Sequence, residues 1–191
     1  MRIEKARKEK AAQIARLIML AMSYDCCRFF AGQDHTLDDF QCMMTRLVER
    51  DDSQYSYLNT EVAVAEDGEL MGICVTYDGG QLHRLRNAFV SAALEVFGID
   101  YSKMDDETQA GELYVDSLAV VEKFRNQGVA TALLRSAVQK AEQMQLPAVG
   151  LLVDADNPCA ERLYQNVGFA YVNDAVWGGH VMHHLQFKIM D

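Results

Sequence analysis

The order in which strand-like and helix-like stretches follow one another predicts a mixed α/β domain with a central sheet flanked by helices. Three observations carry that prediction: a hairpin closed by Asp67-Gly68, a strand-turn-helix unit running from Glu112 to Met144, and a short apolar run, Ala148 to Val153, that leads into Asn157-Pro158. A chain of 191 residues is long enough for one well-buried domain and short for two. With only two prolines and scattered glycines it shows no linker or repeat, so residues 1–191 are expected to form a single unit.

Taken in order, residues 2–7 read as a short first strand. Ile14, Leu17, Ile18, Ala21 and Met22 then repeat at helical spacing. Thr36 followed by Asp39 reads as a capping box opening a second helix, with Leu37, Phe40, Met44 and Leu47 on one side. The stretch "EVAVAEDGELMGICVTY" gives two strands around a tight turn. Leu82, Leu85, Phe89, Ala92 and Val96 predict an additional helix across residues 81–97, and a strand follows from Glu112 to Val120. Val129, Leu133, Ala137, Ala141 and Met144 mark the next helix. Asn157 then offers a capping side chain directly before a proline suited to the first helical position, and Gly168 is the natural stop. Phe169 to Val176 and His180 to Ile189, joined through Gly178-Gly179, close the chain as a hairpin.

Composition narrows the function classes. A formal charge of −10 argues against nucleic acid or an anionic membrane as partner, because both are bound through clustered Lys and Arg. It leans toward a cationic small molecule or peptide, although keeping the protein soluble is a sufficient use for it. No stretch reaches the roughly 18 uninterrupted apolar residues of a membrane span. The opening "MRIEKARKEK" lacks the apolar core of a secretory signal. Five cysteines, an odd count without CxxC spacing, suit a reducing compartment, so a cytoplasmic location is expected.

The most specific stretch is "LAVVEKFRNQGVATALL", Leu118 to Leu134. A helix start leaves about four backbone N–H groups without intrahelical partners, and the helix dipole adds positive potential there. Phosphate oxygens satisfy both. Gly128 lets the loop come close, the small Ala130 keeps the first turn open, and Arg125 adds an ionic contact. The segment lacks the Gly-Lys-Ser/Thr ending of an NTPase P-loop and the three glycines of a dinucleotide fold. On the loop alone, a plain strand-to-helix turn explains Gly128 equally well.

The loop has company. Arg125-Asn126-Gln127-Gly128-Val129-Ala130, preceded by "YVDSLAV" and followed by "NPCAERLYQNVGF", resembles the GNAT superfamily of acyl-coenzyme A N-acyltransferases, whose diphosphate loop reads Arg/Gln-x-x-Gly-x-Gly/Ala. The close match covers residues 112–170. It implies a mostly antiparallel sheet whose fourth and fifth strands splay apart, with acetyl-coenzyme A as co-substrate. By the same resemblance the pantetheine arm lies along Leu118, Ala119 and Val120. The diphosphate sits on Arg125 and the amides of Asn126, Gln127, Gly128, Val129, Ala130 and Thr131. Asn157 and Ala160 reach the arm from the following helix.

Tyr164 matches the family's usual general-acid position, where a phenol can protonate or hydrogen-bond the departing thiolate. A lysine-like amine must lose a proton before attack, and strand alternation places Glu112, Tyr114 and Asp116 on the same face as Leu118, so Glu112 or Asp116 is the candidate base. A covalent route through Cys159 is conceivable at a helix start, but direct transfer is the family norm. His180, His183 and His184 do not share one strand face, so no metal is expected and a surface position or packing in the hairpin is their reading.

The chain departs from the family pattern between its third and fourth strands, where residues 78–111 intervene with the extra helix, either covering the acceptor site or forming a homodimer contact. Tyr24, His35, Tyr77, Asp78 and His83 are the candidate acceptor-lining residues. The expectation is therefore an N-acetyltransferase acting on a primary amine of a small molecule or peptide in a ternary complex. The competing expectation is a non-catalytic module that binds acyl-coenzyme A as a sensor or scaffold.

Overall fold

In the computed structural model of the chain, which describes residues 1–189, seven strands pair into one sheet. They are β1 (Arg2–Lys5), β2 (Thr60–Val64), β3 (Leu70–Asp78), β4 (Leu113–Val120), β5 (Ala148–Asp154), β6 (Ala170–Trp177) and β7 (His180–Lys188). Their spatial order is β1-β2-β3-β4-β5-β7-β6, antiparallel throughout except for the parallel pair β4 and β5. The helices are α1 (Ala11–Met22), α2 (Tyr24–Ala31), α3 (Leu37–Glu49), α4 (Leu82–Phe97), α5 (Val129–Gln143) and α6 (Pro158–Val167). This is the mixed α/β sheet that the sequence predicts.

Local chemistry sets the helix ends. Thr36 Oγ1 accepts from Asp39 N at 3.2 Å while Asp39 Oδ2 accepts from Thr36 N at 2.8 Å, which completes the capping box of α3. Asn157 Oδ1 accepts from Ala160 N at 3.1 Å to cap α6, and Gly168, at φ +117°, ends it in the left-handed region. One helix, α2, escapes the sequence reading. Ser23 stands at φ +71° and its hydroxyl accepts from Cys26 N at 3.3 Å, so the chain turns and restarts as a helix only one residue after α1 ends.

The two faces of the sheet carry separate cores. On one face α1, α2, α3 and α4 pack Ile14, Ile18, Phe30, Phe40, Leu47 and Phe89 against Val62, Ile73 and Val75. On the other, α5 sets Val129, Leu133 and Ala137 against Leu113, Val115 and Val149. Each fully buried Leu, Ile or Phe contributes roughly 1.5–3 kcal/mol of transfer free energy. Large-to-alanine changes here are therefore expected to cost about 2–5 kcal/mol each.

Two features of β4 shape the molecule's centre. It pairs with β5 only through Leu113 with Val149 and Tyr114 with Gly150, after which the two strands diverge. It also carries a bulge: Val75 of β3 faces Ser117 and Thr76 faces Val115, which leaves Asp116 as the extra residue. The bulge corrects the expected alternation. Val115 and Leu118, three residues apart, both pack toward α5, whereas Tyr114 packs with Tyr77 on the opposite face and Asp116 is bonded to that same tyrosine. Asp116 thus lies on the side of Tyr114, not of Leu118.

Candidate active site

The divergence of β4 from β5 opens the sheet edge of β4. Val121 N donates to Met71 O of β3 at 2.9 Å, so strand alternation turns the N–H groups of Val120 and Leu118 the other way, into the gap. Leu118, Ala119 and Val120 line a cleft of 590 Å³ there. The same cleft continues past Arg125, Asn126 and Gly128 to Val129, Ala130 and Thr131, while Gln127 lies outside its lining and donates instead to Lys123 O at 2.9 Å.

Gly128 is the residue before α5 and stands at φ +78°, a conformation that favours glycine. No side chain caps this helix start, so its first amides are open to a ligand. A β-carbon on Gly128 would meet nothing within 4 Å, which leaves the approach to those amides clear. Arg125 is held at the cleft by a 3.4 Å contact from Nε to Val120 O. Open amides, a helix dipole and a guanidinium together fit a diphosphate.

A second, larger cavity of 810 Å³ opens on the α2 side. Its walls mix aromatic side chains (Phe29, Phe30, Tyr101, Trp177) with the carboxylates of Asp25, Asp100, Asp105 and Asp154 and one cation, Lys103. The two cavities share Ala21, Asn157, Ala160 and Tyr164. Tyr164 therefore stands at their junction, on α6, with its ring set edge-on to Phe169 at 6.0 Å. Burial, with a smaller contribution from Cys74, pushes its phenol up to about 12. Against a free thiol near 8.5, proton transfer from Tyr164 is thus less balanced than reference values suggest, which favours hydrogen-bond donation to a thiolate in the same dry site.

The carboxylates of Glu112, just before β4, and of Asp116, within it, differ sharply. Glu112 is fully buried and accepts from Thr108 Oγ1 at 2.7 Å and Gln186 Nε2 at 2.7 Å, with His184 Nε2 at 2.9 Å. Burial raises its pKa, but the bonds from His184, Thr108 and Gln186 outweigh that and leave it lowered. A saturated, shielded carboxylate of this kind clamps strands and is poorly placed to exchange protons. Asp116 is only partly buried, and burial followed by the charge of Glu107 pushes it up to about 7. That is the range in which a base works at neutral pH.

The five residues expected to line the acceptor site lie elsewhere. Tyr24 is exposed at the start of α2, and His35 packs its ring on Phe97 at 5.0 Å. Asp78 accepts from Gly80 N at 2.9 Å, and His83 lies 3.3 Å from Asp106. Tyr77 is buried, with its hydroxyl 3.0 Å from Glu107 and 3.4 Å from Asp116. None of the five lines either cavity. Among the residues that do, Asp25, Cys26 and Phe29 come from α2, Tyr101 from the loop after α4 and Trp177 from the end of β6. The first three depend on the unexpected helix. Of the three histidines, His180 lines the cavity and His183 lies 3.1 Å from Glu161, while His184 is buried against Glu112 rather than simply packed in the hairpin. Among the described residues no three His, Cys, Asp or Glu are grouped as a metal would require.

The cleft along the opened strand, the uncapped entrance of α5 and the tyrosine between two cavities belong to an acyltransferase enzyme. The acetyltransferase (GNAT) family model matches residues 17–169, and the chain belongs to that family. The crystal structure of an acetyltransferase superposes with a TM-score of 0.82 at 25% identity, covering 100% of both chains. The N-acetyltransferase from Staphylococcus aureus Mu50 superposes with a TM-score of 0.82 at 23% identity, over 98% of this chain and 100% of that one. Mycothiol acetyltransferase of Streptomyces coelicolor is 33% identical over 75 residues, which is 39% of this chain and 24% of that protein. The match thus spans about a quarter of that relative's length.

Proposed function

We propose that this chain is an N-acetyltransferase that moves the acetyl group of acetyl-coenzyme A to a primary amine of a small molecule or peptide, by direct attack with both substrates bound. The observation that carries the reading is the meeting of two cavities at Tyr164, one with the features of a diphosphate cleft and the other acidic and aromatic. Acetyl-coenzyme A, when bound, supplies the activated acetyl thioester. Arg125 and the amides at the start of α5 would hold its diphosphate, and the free edge at Leu118 to Val120 would align its arm. The Leu118 N–H would polarise the carbonyl, a contribution of roughly 2.7–4 kcal/mol for one such donor. Tyr164 would donate to the sulfur.

Asp116 is the base in this reading, and Glu112 keeps β4, β5 and β7 in register beneath it. The acidic, aromatic wall supports a cationic acceptor, through charge and through cation–π contact with Trp177 or Tyr101. The segment between β3 and β4 is read as an insertion that builds this wall. A cytoplasmic setting is part of the proposal and is supported by five free thiols. A panel of amines, monitored by release of free coenzyme A, tests the function. Turnover is expected with dications and arylalkyl amines. Tight binding of acetyl-coenzyme A without turnover of any amine would reject it.

A further inference from the structure

Asp116 does not meet its surroundings alone. Gln54 Nε2 lies 3.0 Å from Asp116 Oδ2 and 3.4 Å from Glu107 Oε1. Tyr77 Oη lies 3.0 Å from Glu107 Oε1 and 3.4 Å from the same Asp116 oxygen. The two carboxylates thus share both donors, one from the turn before β2 and one from β3. Ser117 Oγ adds a bond to Asp116 Oδ1 at 2.8 Å. Behind Glu107 stands Arg86 of α4, buried and paired with it, and further fixed by Asp106 Oδ1 at 3.1 Å and Asp105 O at 2.9 Å.

We infer that Glu107 and Asp116 form one donor-sharing pair, in which Glu107 is a positioning residue that keeps Asp116 ready to accept a proton from the amine. The inference rests on Asp116 being the base of the proposed reaction. The electrostatics fix the direction. Arg86 compensates the charge at the Glu107 end, so the proton resides at the Asp116 end, which is the partly exposed one. The other ionisable groups that feel Asp116 are Tyr55, Tyr77 and Tyr114, all held well above the ordinary phenol range by burial and then by Asp116 and Glu107, and Cys74, pushed up to about 12 chiefly by burial, so all four remain neutral. Asp116 itself lines neither cavity. Leu152, which lines the acidic one, packs against the cluster of Tyr77 and Tyr114 on the side where Asp116 lies, so the carboxylate stands one layer behind the cavity wall and is reached through water.

In the step itself, an N–H bond of the acceptor ammonium breaks, the proton passes through water to an Asp116 oxygen and the electron pair stays on nitrogen for attack. Asp116 later returns its proton to solvent. Glu107 changes neither its bonds nor its partners. It supplies the negative charge that, after burial, makes Asp116 basic enough. Residues 79–111 therefore contribute to proton transfer through Glu107 as well as to the cavity wall.

Carboxyl ¹³C resonances of the full chain, followed from pH 4 to 9, test the pair directly. In the wild-type protein, Asp116 is expected to titrate near neutrality with the Glu107 resonance moving in the same step. In Glu107→Gln its midpoint should fall by at least one pH unit, and the acid limb of kcat/KM should move with it, at unchanged affinity for acetyl-coenzyme A. An Asp116 midpoint that stays in place in Glu107→Gln, or wild-type resonances that titrate independently, would overturn the inference. The wild-type titration decides the matter even if the variant does not fold. Asp116→Asn serves a separate purpose: full turnover there removes Asp116 as base, and with it the proposed mechanism, whatever the titration shows.

Discussion

A β-carbon on Gly150 of β5 would collide with the carboxylate of Glu112, which lies across that position from β4. The contact sits where the two strands are last paired before they separate. Gly150→Ala is therefore expected to expel the carboxylate from its bonds with His184, Thr108 and Gln186 and to destabilise the fold by about 2–4 kcal/mol. Urea denaturation measures this. Glu112 also sets a pH dependence. Its pKa is depressed below the ordinary 4.5, so its contribution is present above that value and lost as pH falls through the lower, folded value. Glu112→Gln should flatten stability on that acid side.

Gly128 has open space around it, so a substitution there acts through backbone conformation and charge rather than through collision. Gly128→Ala should cost about 1 kcal/mol in the helix entrance and weaken acetyl-coenzyme A binding modestly. Gly128→Asp adds a negative charge facing the diphosphate and should weaken binding at least tenfold by calorimetry. Equal affinity for wild type and Gly128→Asp would remove the cradle from the account.

Tyr164→Phe keeps the ring against Phe169 and deletes only the hydroxyl. Turnover is expected to fall at least tenfold while affinity for acetyl-coenzyme A stays within about twofold. Loss of affinity with unchanged turnover would recast Tyr164 as a packing residue.

Asp116 sets activity against stability. Its folded pKa is raised from 3.8 to about 7, so between those values the folded protein holds a proton that the unfolded chain has released. Stability from this group accordingly declines as pH rises through that window and the full cost applies above pH 7. Asp116→Asn should remove turnover and, at pH 8, raise stability by an amount on the order of 1–4 kcal/mol. A destabilised, inactive Asp116→Asn at pH 8 would show that the charge is better accommodated than its setting implies.

How far the sequence reveals this site depends on distance along the chain. The α3 cap, the α6 cap and the Arg125–Ala130 turn are contiguous patterns whose donors and acceptors lie within a few residues, and each was readable. The eight-residue α2 offers too little periodicity and follows α1 after a single residue, Ser23. Asp25, Cys26, Phe29 and Phe30 of the cavity wall belong to α2, so the sequence singles out Tyr24 and passes over its neighbours. The β4 bulge is one extra residue, invisible to alternation, yet it decides which side Asp116 faces. Pairing Glu107 with Asp116 required the fold, because their shared donors come from positions 54 and 77.

The most direct test is a crystal structure of the chain with coenzyme A. The account predicts the diphosphate on the amides of residues 126–131 beside Arg125 and the thiol end between β4 and β5, within reach of the Tyr164 hydroxyl. A coenzyme bound away from the α5 entrance, with β4 and β5 closed on each other, would contradict it.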